Sequence, residues 1–122
     1  MVEFFRCNLC GNIVALIKKG GGTLVCCGQE MEKLVANSTD ASQEKHVPVI
    51  TKEDGKVKVA VGSVAHPMLP EHYIEWIALV SGDRVELKYL KPGKEAKAEF
   101  ENAIDGTIYA FCNLHGLWKA EF

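Results

Sequence analysis

Alternation of apolar and polar residues is the dominant pattern in the last two thirds of the chain. From position 46 onward, side chains change character with a period of two, as expected for β-strands that bury one face. Turn signals such as Asp54-Gly55 and Pro92-Gly93 separate these stretches. Seven strands are therefore predicted, at residues 46–51, 56–61, 72–80, 84–90, 96–100, 107–112 and 117–122.

Seven short strands in about eighty residues predict an antiparallel β-sandwich of immunoglobulin-like type, and hence an all-β protein. The residues before them lack this alternation, and the run Asn37-Ser38-Thr39-Asp40 consists of turn-forming residues. We therefore expect two domains, residues 1–36 and residues 37–122.

The first domain is predicted to be organised by a metal ion. It contains two pairs of cysteines with fifteen residues between them: Cys7, Cys10, Cys26 and Cys27. A segment of this size buries too little apolar surface to offset its loss of conformational entropy, so it needs a cross-link such as a bound metal ion. Four thiolates bind zinc or iron as a tetrahedron, and the sequence does not separate these metals. The adjacency of Cys26 and Cys27 departs from the usual C-x-x-C spacing and is expected to strain the site.

Composition and charge exclude several classes of protein. The chain of 122 residues has a net charge of -2 and no stripe of lysine or arginine, so nucleic-acid binding is not expected. No apolar run approaches the roughly 18 residues of a membrane span, and the first residues lack the features of a secretory signal. The odd number of five cysteines argues against a disulfide framework. We expect a cytoplasmic protein without membrane contact.

All histidines of the chain fall in the second domain, at predicted strand ends or in loops beside turn residues. A single histidine of this kind is ordinarily a solvated surface side chain. Four of them favour a shared site, because metal centres in β-sandwiches are usually built from loops at one end of the sheets. They are His46, His66, His72 and His115.

Cys112, three residues before His115, is the fifth candidate ligand. A turn at Asn113, a residue that tolerates left-handed geometry, and at Gly116 would let both side chains reach one metal. On spacing alone, a buried thiol beside an incidental histidine is the commoner arrangement. Four imidazoles in a plane with a thiolate below them would leave the sixth octahedral position open, which is a catalytic geometry.

Six blocks of the sequence also occur together in a known family. They are FRCxxCGN (residues 5–12), VCCG (25–28), EKHVPVI (44–50), HPM (66–68), HYIEWI (72–77) and CNLHGLW (112–118). In this combination and order they closely resemble the desulfoferrodoxins, the two-iron class of superoxide reductase. The resemblance covers the whole chain and shows no departure at any ligand position.

The resemblance implies a role for each of these residues. Cys7, Cys10, Cys26 and Cys27 would bind one iron, which zinc can replace, in a desulforedoxin-like (rubredoxin-like) metal knuckle. His46, His66, His72 and His115 would be equatorial ligands of a catalytic iron, with Cys112 as its axial ligand. Lys45 and Glu44 would be catalytic residues, with Glu44 also the sixth ligand in the resting ferric state. From the residue types alone, Glu44 and Lys45 would be interpreted as a solvent-exposed pair of opposite charges. The backbone amides of Asn113 and Leu114 are expected to hydrogen-bond to the sulfur.

The function implied is reduction of superoxide to hydrogen peroxide by one electron at a ferrous centre, for superoxide detoxification. Rubredoxin or a similar small carrier would restore the ferrous state, and a homodimer is expected. Two other functions are compatible with the residues: a non-catalytic iron electron carrier and a zinc-stapled interaction module. Binding of azide or cyanide to the second metal distinguishes the enzyme from the carrier, and metal analysis identifies the zinc module.

Overall fold

The computed structural model describes residues 2–122, and the chain in it separates into two units between Val35 and Ala36. The first unit consists of short antiparallel strands. They are β1 (Glu3–Arg6), β2 (Ile13–Leu16), β3 (Val25–Cys26), β4 (Gln29–Glu30) and β5 (Glu32–Lys33). One sheet has the order β2-β1-β5, and β3 pairs with β4.

The cysteine pairs of the first unit lie at two turns. Cys7 and Cys10 lie between β1 and β2, and Cys26 and Cys27 lie at the turn from β3 to β4. The described residues of this unit that are both apolar and buried are Val2, Phe4 and Cys7. So small a core agrees with the expectation that the unit needs a metal to hold it.

The second unit is a β-sandwich preceded by a single helical turn. Its elements are α1 (Gln43–His46), β6 (Pro48–Glu53), β7 (Lys56–Val61), β8 (Ile74–Ser81), β9 (Arg84–Tyr89), β10 (Lys97–Glu101), β11 (Thr107–Cys112) and β12 (Gly116–Glu121). One sheet has the order β10-β7-β6 and the other β12-β11-β8-β9, with all pairs antiparallel. The all-β prediction of a metal knuckle followed by a seven-stranded immunoglobulin-like sandwich is confirmed.

The predicted strand bounds agree with the structure to within one residue at five strands, and the two larger differences involve histidines. His46 ends α1 and does not begin a strand, because β6 starts at Pro48. A proline has no amide hydrogen to donate and disfavours helix in the residue before it, so the change from helix to strand falls there. His72 likewise precedes β8, which begins at Ile74.

The core lies between the two sheets and follows the alternation seen in the sequence. Along β7, Val57, Val59 and Val61 are buried, whereas the residues between them are exposed or partly exposed. They share a cluster of buried residues with β8, β10 and β11; its other members are Ile74, Ile77, Leu79, Ala96, Phe100, Ile108, Ala110 and Cys112. The sulfur of Cys112 therefore belongs to the rigid interior. In the described part of the chain, no helix is long and apolar enough to cross a membrane.

Candidate metal centres

The segments that carry the histidines and Cys112 meet at one end of the sandwich. α1 leads into β6, whose first residue pairs with the last residue of β7. The connection from β7 to β8 starts at this end and carries His66 and His72. Cys112, the last residue of β11, pairs with the first residue of β8. The β11–β12 turn, with His115, therefore meets the same edge.

The four histidine rings surround one point. Ring centroids lie 4.7 Å apart for His46 and His66, and 4.8 Å for His66 and His72. The ring centroids of His72 and His115 lie 5.1 Å apart, and those of His115 and His46 lie 4.9 Å apart. Each ring stands nearly perpendicular to the next, at angles between 71° and 85°. The order around the point is therefore His46, His66, His72, His115.

Nitrogen atoms face the centre with the spacing of metal ligands. Nε2 of His46 lies 3.1 Å from Nε2 of His66 and 3.2 Å from Nδ1 of His115. Two nitrogens at right angles around a metal about 2.1 Å away lie about 3.0 Å apart. Nε2 of His72 is buried and has no hydrogen-bond partner, a state that a bound metal would relieve. The four nitrogens therefore fit the equatorial plane of one ion.

The sulfur of Cys112 approaches all four nitrogens. Sγ lies 3.5 Å from Nε2 of His66 and 3.8 Å from Nδ1 of His115. The ligand atoms of His46, His66, His72 and Cys112 all lie within 4.8 Å of one another. A sulfur close to every corner of the square has the relation of an axial ligand to an equatorial plane. Since His72 and His115 are only partly buried, the cluster is accessible to solvent.

Backbone carbonyls hold two of the imidazoles through their outer nitrogens. Nδ1 of His46 lies 2.6 Å from the carbonyl oxygen of Ser42, and Nδ1 of His66 lies 2.7 Å from that of Pro67. A carbonyl only accepts, so each Nδ1 carries the proton and each Nε2 presents its lone pair to the centre. Both rings are thus fixed in the tautomer that binds metal.

Burial favours the neutral, metal-binding form of the histidines. It lowers the pKa of His66 to about 4, and the other imidazoles add to this. Burial also lowers the pKa of His46 and of His72, and the positive charge of Lys45 makes a smaller contribution to both. At neutral pH the nitrogens are therefore free to bind a cation, and the ammonium of Lys45 lies close enough to act on the cluster.

The prediction for the sulfur's hydrogen bonds was partly wrong. The amides directed at Sγ of Cys112 are those of Leu114 and His115. The amide of Asn113 instead donates to the carbonyl oxygen of Tyr73, 3.2 Å away. Burial raises the pKa of the Cys112 thiol, and the two amides oppose this. A metal ion is thus needed to hold the sulfur as thiolate in this apolar position.

Glu44 and Lys45 lie in α1 beside the cluster, and both are exposed. The carboxylate of Glu44 is not among the atoms that converge on the centre. Its backbone carbonyl accepts a hydrogen bond from the amide of Val64 at 2.9 Å, which ties α1 to the loop after β7. The structure thus brings the five predicted ligands together and places Lys45 beside them, while the ligand role of Glu44 stays a prediction.

Two contacts beside the centre were not foreseen from the sequence. The side chain of Asn113 bonds to the loop that carries His72, and its backbone does not adopt the left-handed geometry that this residue tolerates. Glu75 is the extra residue of a β-bulge, because Phe111 pairs with Trp76 while Cys112 pairs with Ile74. The negative charge of Glu75 contributes to the raised pKa of Cys112. Neither relation leaves a local sequence signal, because each depends on strand pairing.

The four cysteines of the first unit form a second group with the geometry of a metal site. Sγ of Cys26 lies 3.6 Å from Sγ of Cys10 and 3.9 Å from Sγ of Cys27. Sulfurs at the corners of a tetrahedron about 2.3 Å from a metal lie about 3.8 Å apart. The two distances are near this value, and Cys27 adopts φ of 54°, which is uncommon for a residue other than glycine. The set fits a tetrathiolate ion.

The sulfurs of this group need a cation to ionise together. The amides of Cys10 and Leu9 lower the pKa of Cys7 to about 6. Hydrogen bonds to the sulfurs of Cys10 and Cys26 raise the pKa of Cys27 to about 12. Cys7 is thus readily deprotonated, whereas Cys27 keeps its proton at neutral pH. Only a bound metal can hold all four sulfurs as thiolates. The side-chain amide of Asn12 donates to Sγ of Cys26 at 3.7 Å.

Comparison with known families agrees with these two centres. The family model described as desulfoferrodoxin matches residues 38–121, and the model of the desulfoferrodoxin N-terminal domain matches residues 1–34. The chain belongs to the desulfoferrodoxin family. Its resemblance to desulfoferrodoxins, inferred above from six sequence blocks, is confirmed, and the two groups of ligands correspond to the two iron centres of the family.

Relatives of two kinds are similar to this desulfoferrodoxin family member. A desulfoferrodoxin from Clostridium acetobutylicum is 56% identical over 111 residues, which cover 91% of this chain and 89% of the relative. A superoxide reductase from Pyrococcus horikoshii is 40% identical over 111 residues, covering 75% of this chain and 96% of the relative. The crystal structure of the superoxide reductase from Treponema pallidum superposes with a TM-score of 0.79 at 35% identity, covering 98% of both chains.

Proposed function

We propose that this protein is a superoxide reductase, which converts superoxide and two protons to hydrogen peroxide with one electron. The observation that carries this proposal is the square of four imidazoles with the sulfur of Cys112 close to every corner. Relatives and a solved structure named superoxide reductase support it. Such a ligand set leaves one octahedral position for a small substrate.

Two iron ions are the cofactors that the ligand sets fit, and the iron of the second unit supplies the electron for the reaction. His46, His66, His72, His115 and Cys112 hold that iron. Cys7, Cys10, Cys26 and Cys27 hold the other, in residues 1–36, with residues 37–122 as the catalytic domain. Zinc can occupy the tetrathiolate site, because both metals accept this geometry.

Lys45 attracts the substrate anion to the second unit. The chain as a whole has a net charge of -2, which would repel superoxide. The ammonium of Lys45 is exposed and close enough to lower the pKa of His46 and His72. The positive charge of Lys45 therefore offsets the negative net charge of the protein at the place where superoxide binds. Lys45 also holds the solvent water that delivers protons.

Glu44 closes the site in its resting form. Its carboxylate lies two positions before His46 in α1, is exposed and forms no ion pair in the described part of the chain. A solvated carboxylate on this helical turn would serve as an additional ligand of bound iron in the resting ferric form. In this role Glu44 would protect the oxidised site and would not block the encounter of the reduced site with superoxide.

Cys112 would hold the iron as a thiolate and would supply electron density to it, which would favour release of the product. The amides of Leu114 and His115 temper this supply by donating hydrogen bonds to the sulfur. The burial of Cys112 keeps water away from the sulfur.

A small electron carrier such as rubredoxin restores the reduced state, and the protein acts in superoxide detoxification and electron transport in the cytoplasm as a homodimer. None of the five cysteines is in a disulfide, which supports a reducing compartment. The small core of the first unit supports dimerisation, because pairing with a second copy would add buried surface.

The deciding experiment compares the wild-type holoenzyme with Cys112→Ser and Cys10→Ser. We expect Cys112→Ser to abolish superoxide reduction and the visible absorption of the oxidised catalytic centre. Cys10→Ser should lose the absorption of the first centre and keep most of the activity. A Cys112→Ser protein that remains active and coloured contradicts the proposal. So does a wild-type protein whose second metal is zinc, or whose second iron does not bind azide.

A further inference from the structure

Asn113 joins the loop that carries Cys112 to the loop that carries His72. Its Oδ1 accepts the amide of Tyr73 at 2.9 Å, and its Nδ2 donates to the carbonyl oxygen of Glu71 at 3.0 Å. Its own amide donates to the carbonyl oxygen of Tyr73 at 3.2 Å. The carbonyl of Glu71 and the amide of Tyr73 belong to the two peptide groups on either side of His72. One side chain therefore holds the backbone on both sides of a metal ligand.

His72 depends on such support more than His46 and His66 do. The rings of His46 and His66 are anchored by the carbonyl oxygens of Ser42 and Pro67. Nε2 of His72 has no hydrogen bond, and within residues 2–122 none is found for its other ring nitrogen. The backbone of His72 pairs with Leu69, which fixes one edge of this short segment. The other edge is held by Asn113.

We propose that Asn113 is a positioning residue that fixes His72 relative to Cys112. The inference rests on the proposed function, because it assigns His72 and Cys112 to one iron. Asn113 follows Cys112 directly, so the turn that places the sulfur also sets the position of an imidazole 40 residues earlier in the chain. Residues that support metal ligands in this way typically contribute 10- to 100-fold in metal affinity, roughly.

The chain offers a control in Asn37, although its replacement by alanine also carries a backbone cost because Asn37 has φ of 61°. Its Oδ1 accepts the amide of Lys119 at 2.9 Å, and its Nδ2 donates to the carbonyl oxygen of Lys119 at 3.2 Å. Asn37 therefore also uses its amide to bridge two backbone groups of the second unit, but it does not bond to a segment that carries a ligand. Asn37→Ala removes the same number of side-chain hydrogen bonds as Asn113→Ala.

The experiment measures iron at the second centre of the holoenzyme by competition with a chelator, and records the absorption of its oxidised form. We expect Asn113→Ala to lower iron affinity about 10- to 100-fold and to shift the absorption band, and Asn37→Ala to do neither. The absorption of the first centre, in the other unit, should be unchanged in both. The hydroxyl of serine is too short to bridge both peptide groups, so Asn113→Ser should behave like Asn113→Ala. If the alanine variant does not fold, the serine variant replaces it in the measurement.

A double-mutant cycle tests whether Asn113 acts through His72. In a His72→Ala background, Asn113→Ala should lower iron affinity by less than about threefold, because the ligand it positions is already absent. Wild-type affinity and absorption in Asn113→Ala, or a full additional loss in the double variant, would overturn the inference. These readouts do not depend on turnover, so they separate this inference from superoxide reduction, which is measured on the wild-type protein.

Discussion

The indole of Trp118 stacks on the imidazole of His46, with ring centroids 4.8 Å apart and ring planes at 22°. Nε1 of Trp118 also donates a hydrogen bond to the carbonyl oxygen of His115, 3.0 Å away. Trp118 is completely buried. This single core residue therefore supports two neighbouring corners of the histidine square.

Replacing Trp118 by phenylalanine should keep a stacked ring but lose the bond to His115. We expect a loss of about 1–3 kcal/mol in the free energy of unfolding, together with a changed spectrum of the oxidised iron. Thermal melting and visible absorption of the holoenzyme measure the two effects. The control is Trp76→Phe, since Trp76 stacks on Phe111. It should lower stability without changing the spectrum; equal spectra in both variants would contradict the role of Trp118.

Gly62 leaves room for the helical turn that carries Glu44, Lys45 and His46. A Cβ at this position would overlap the carbonyl oxygen of Glu44 and come 2.8 Å from the carbonyl carbon of Lys45. Gly62→Ala should therefore displace α1, cost about 1–3 kcal/mol and weaken iron binding at the second centre. Gly20→Ala, where a Cβ meets nothing within 4 Å, is the control. Iron content and melting temperature are the two measurements. A Gly62→Ala protein with the iron content and melting temperature of the wild type would refute this packing argument.

Lys45→Ile should slow the encounter with superoxide without preventing metal binding. Removal of one charge beside the site changes the interaction with an anion by about 1 kcal/mol, which corresponds to about fivefold in rate. The remaining rate should also depend less on ionic strength. Pulse radiolysis at several salt concentrations measures both effects. Lys56→Ile, at the opposite end of β7 from the histidines, should leave the rate nearly unchanged; equal slowing by both substitutions would show that only net charge matters.

Glu75→Gln should raise the reduction potential of the second iron. The carboxylate acts on Cys112 from the β-bulge, and a negative charge there favours the oxidised metal. Redox titration measures the reduction potential of the second iron in this variant and in the control Glu86→Gln, which removes the same charge from β9. A potential that is lowered, or shifted equally in both variants, would argue against the electrostatic contact.

The same substitution predicts a dependence of stability on pH. Burial raises the pKa of Glu75 above its ordinary value of 4.5, so the folded state holds this proton more tightly than the unfolded state. The ionised carboxylate therefore destabilises the fold above the raised pKa, and this penalty disappears as the pH falls towards 4.5. Glu75→Gln should melt at a higher temperature than wild type at pH 7, and the difference should shrink in acid.

The sequence by itself determined the classes of structure and chemistry. Alternation along single strands is a local property, so it predicted seven strands, whose bounds were wrong by two residues where His46 and His72 lie outside them and by at most one residue at the other five strands. Cysteine spacing and the set of loop histidines likewise identified both groups of metal ligands, because ligand type follows from side-chain chemistry.

Only the tertiary structure decided how these ligands are held. The carbonyls of Ser42 and Pro67 select the histidine tautomers, and the amide of His115, not that of Asn113, joins the amide of Leu114 at the sulfur. Asn113 reaches Tyr73 from 40 positions away in the chain. Backbone groups are the same in every residue, and their partners depend on strand register and turn geometry. Such contacts therefore leave no pattern that can be read before the chain is folded.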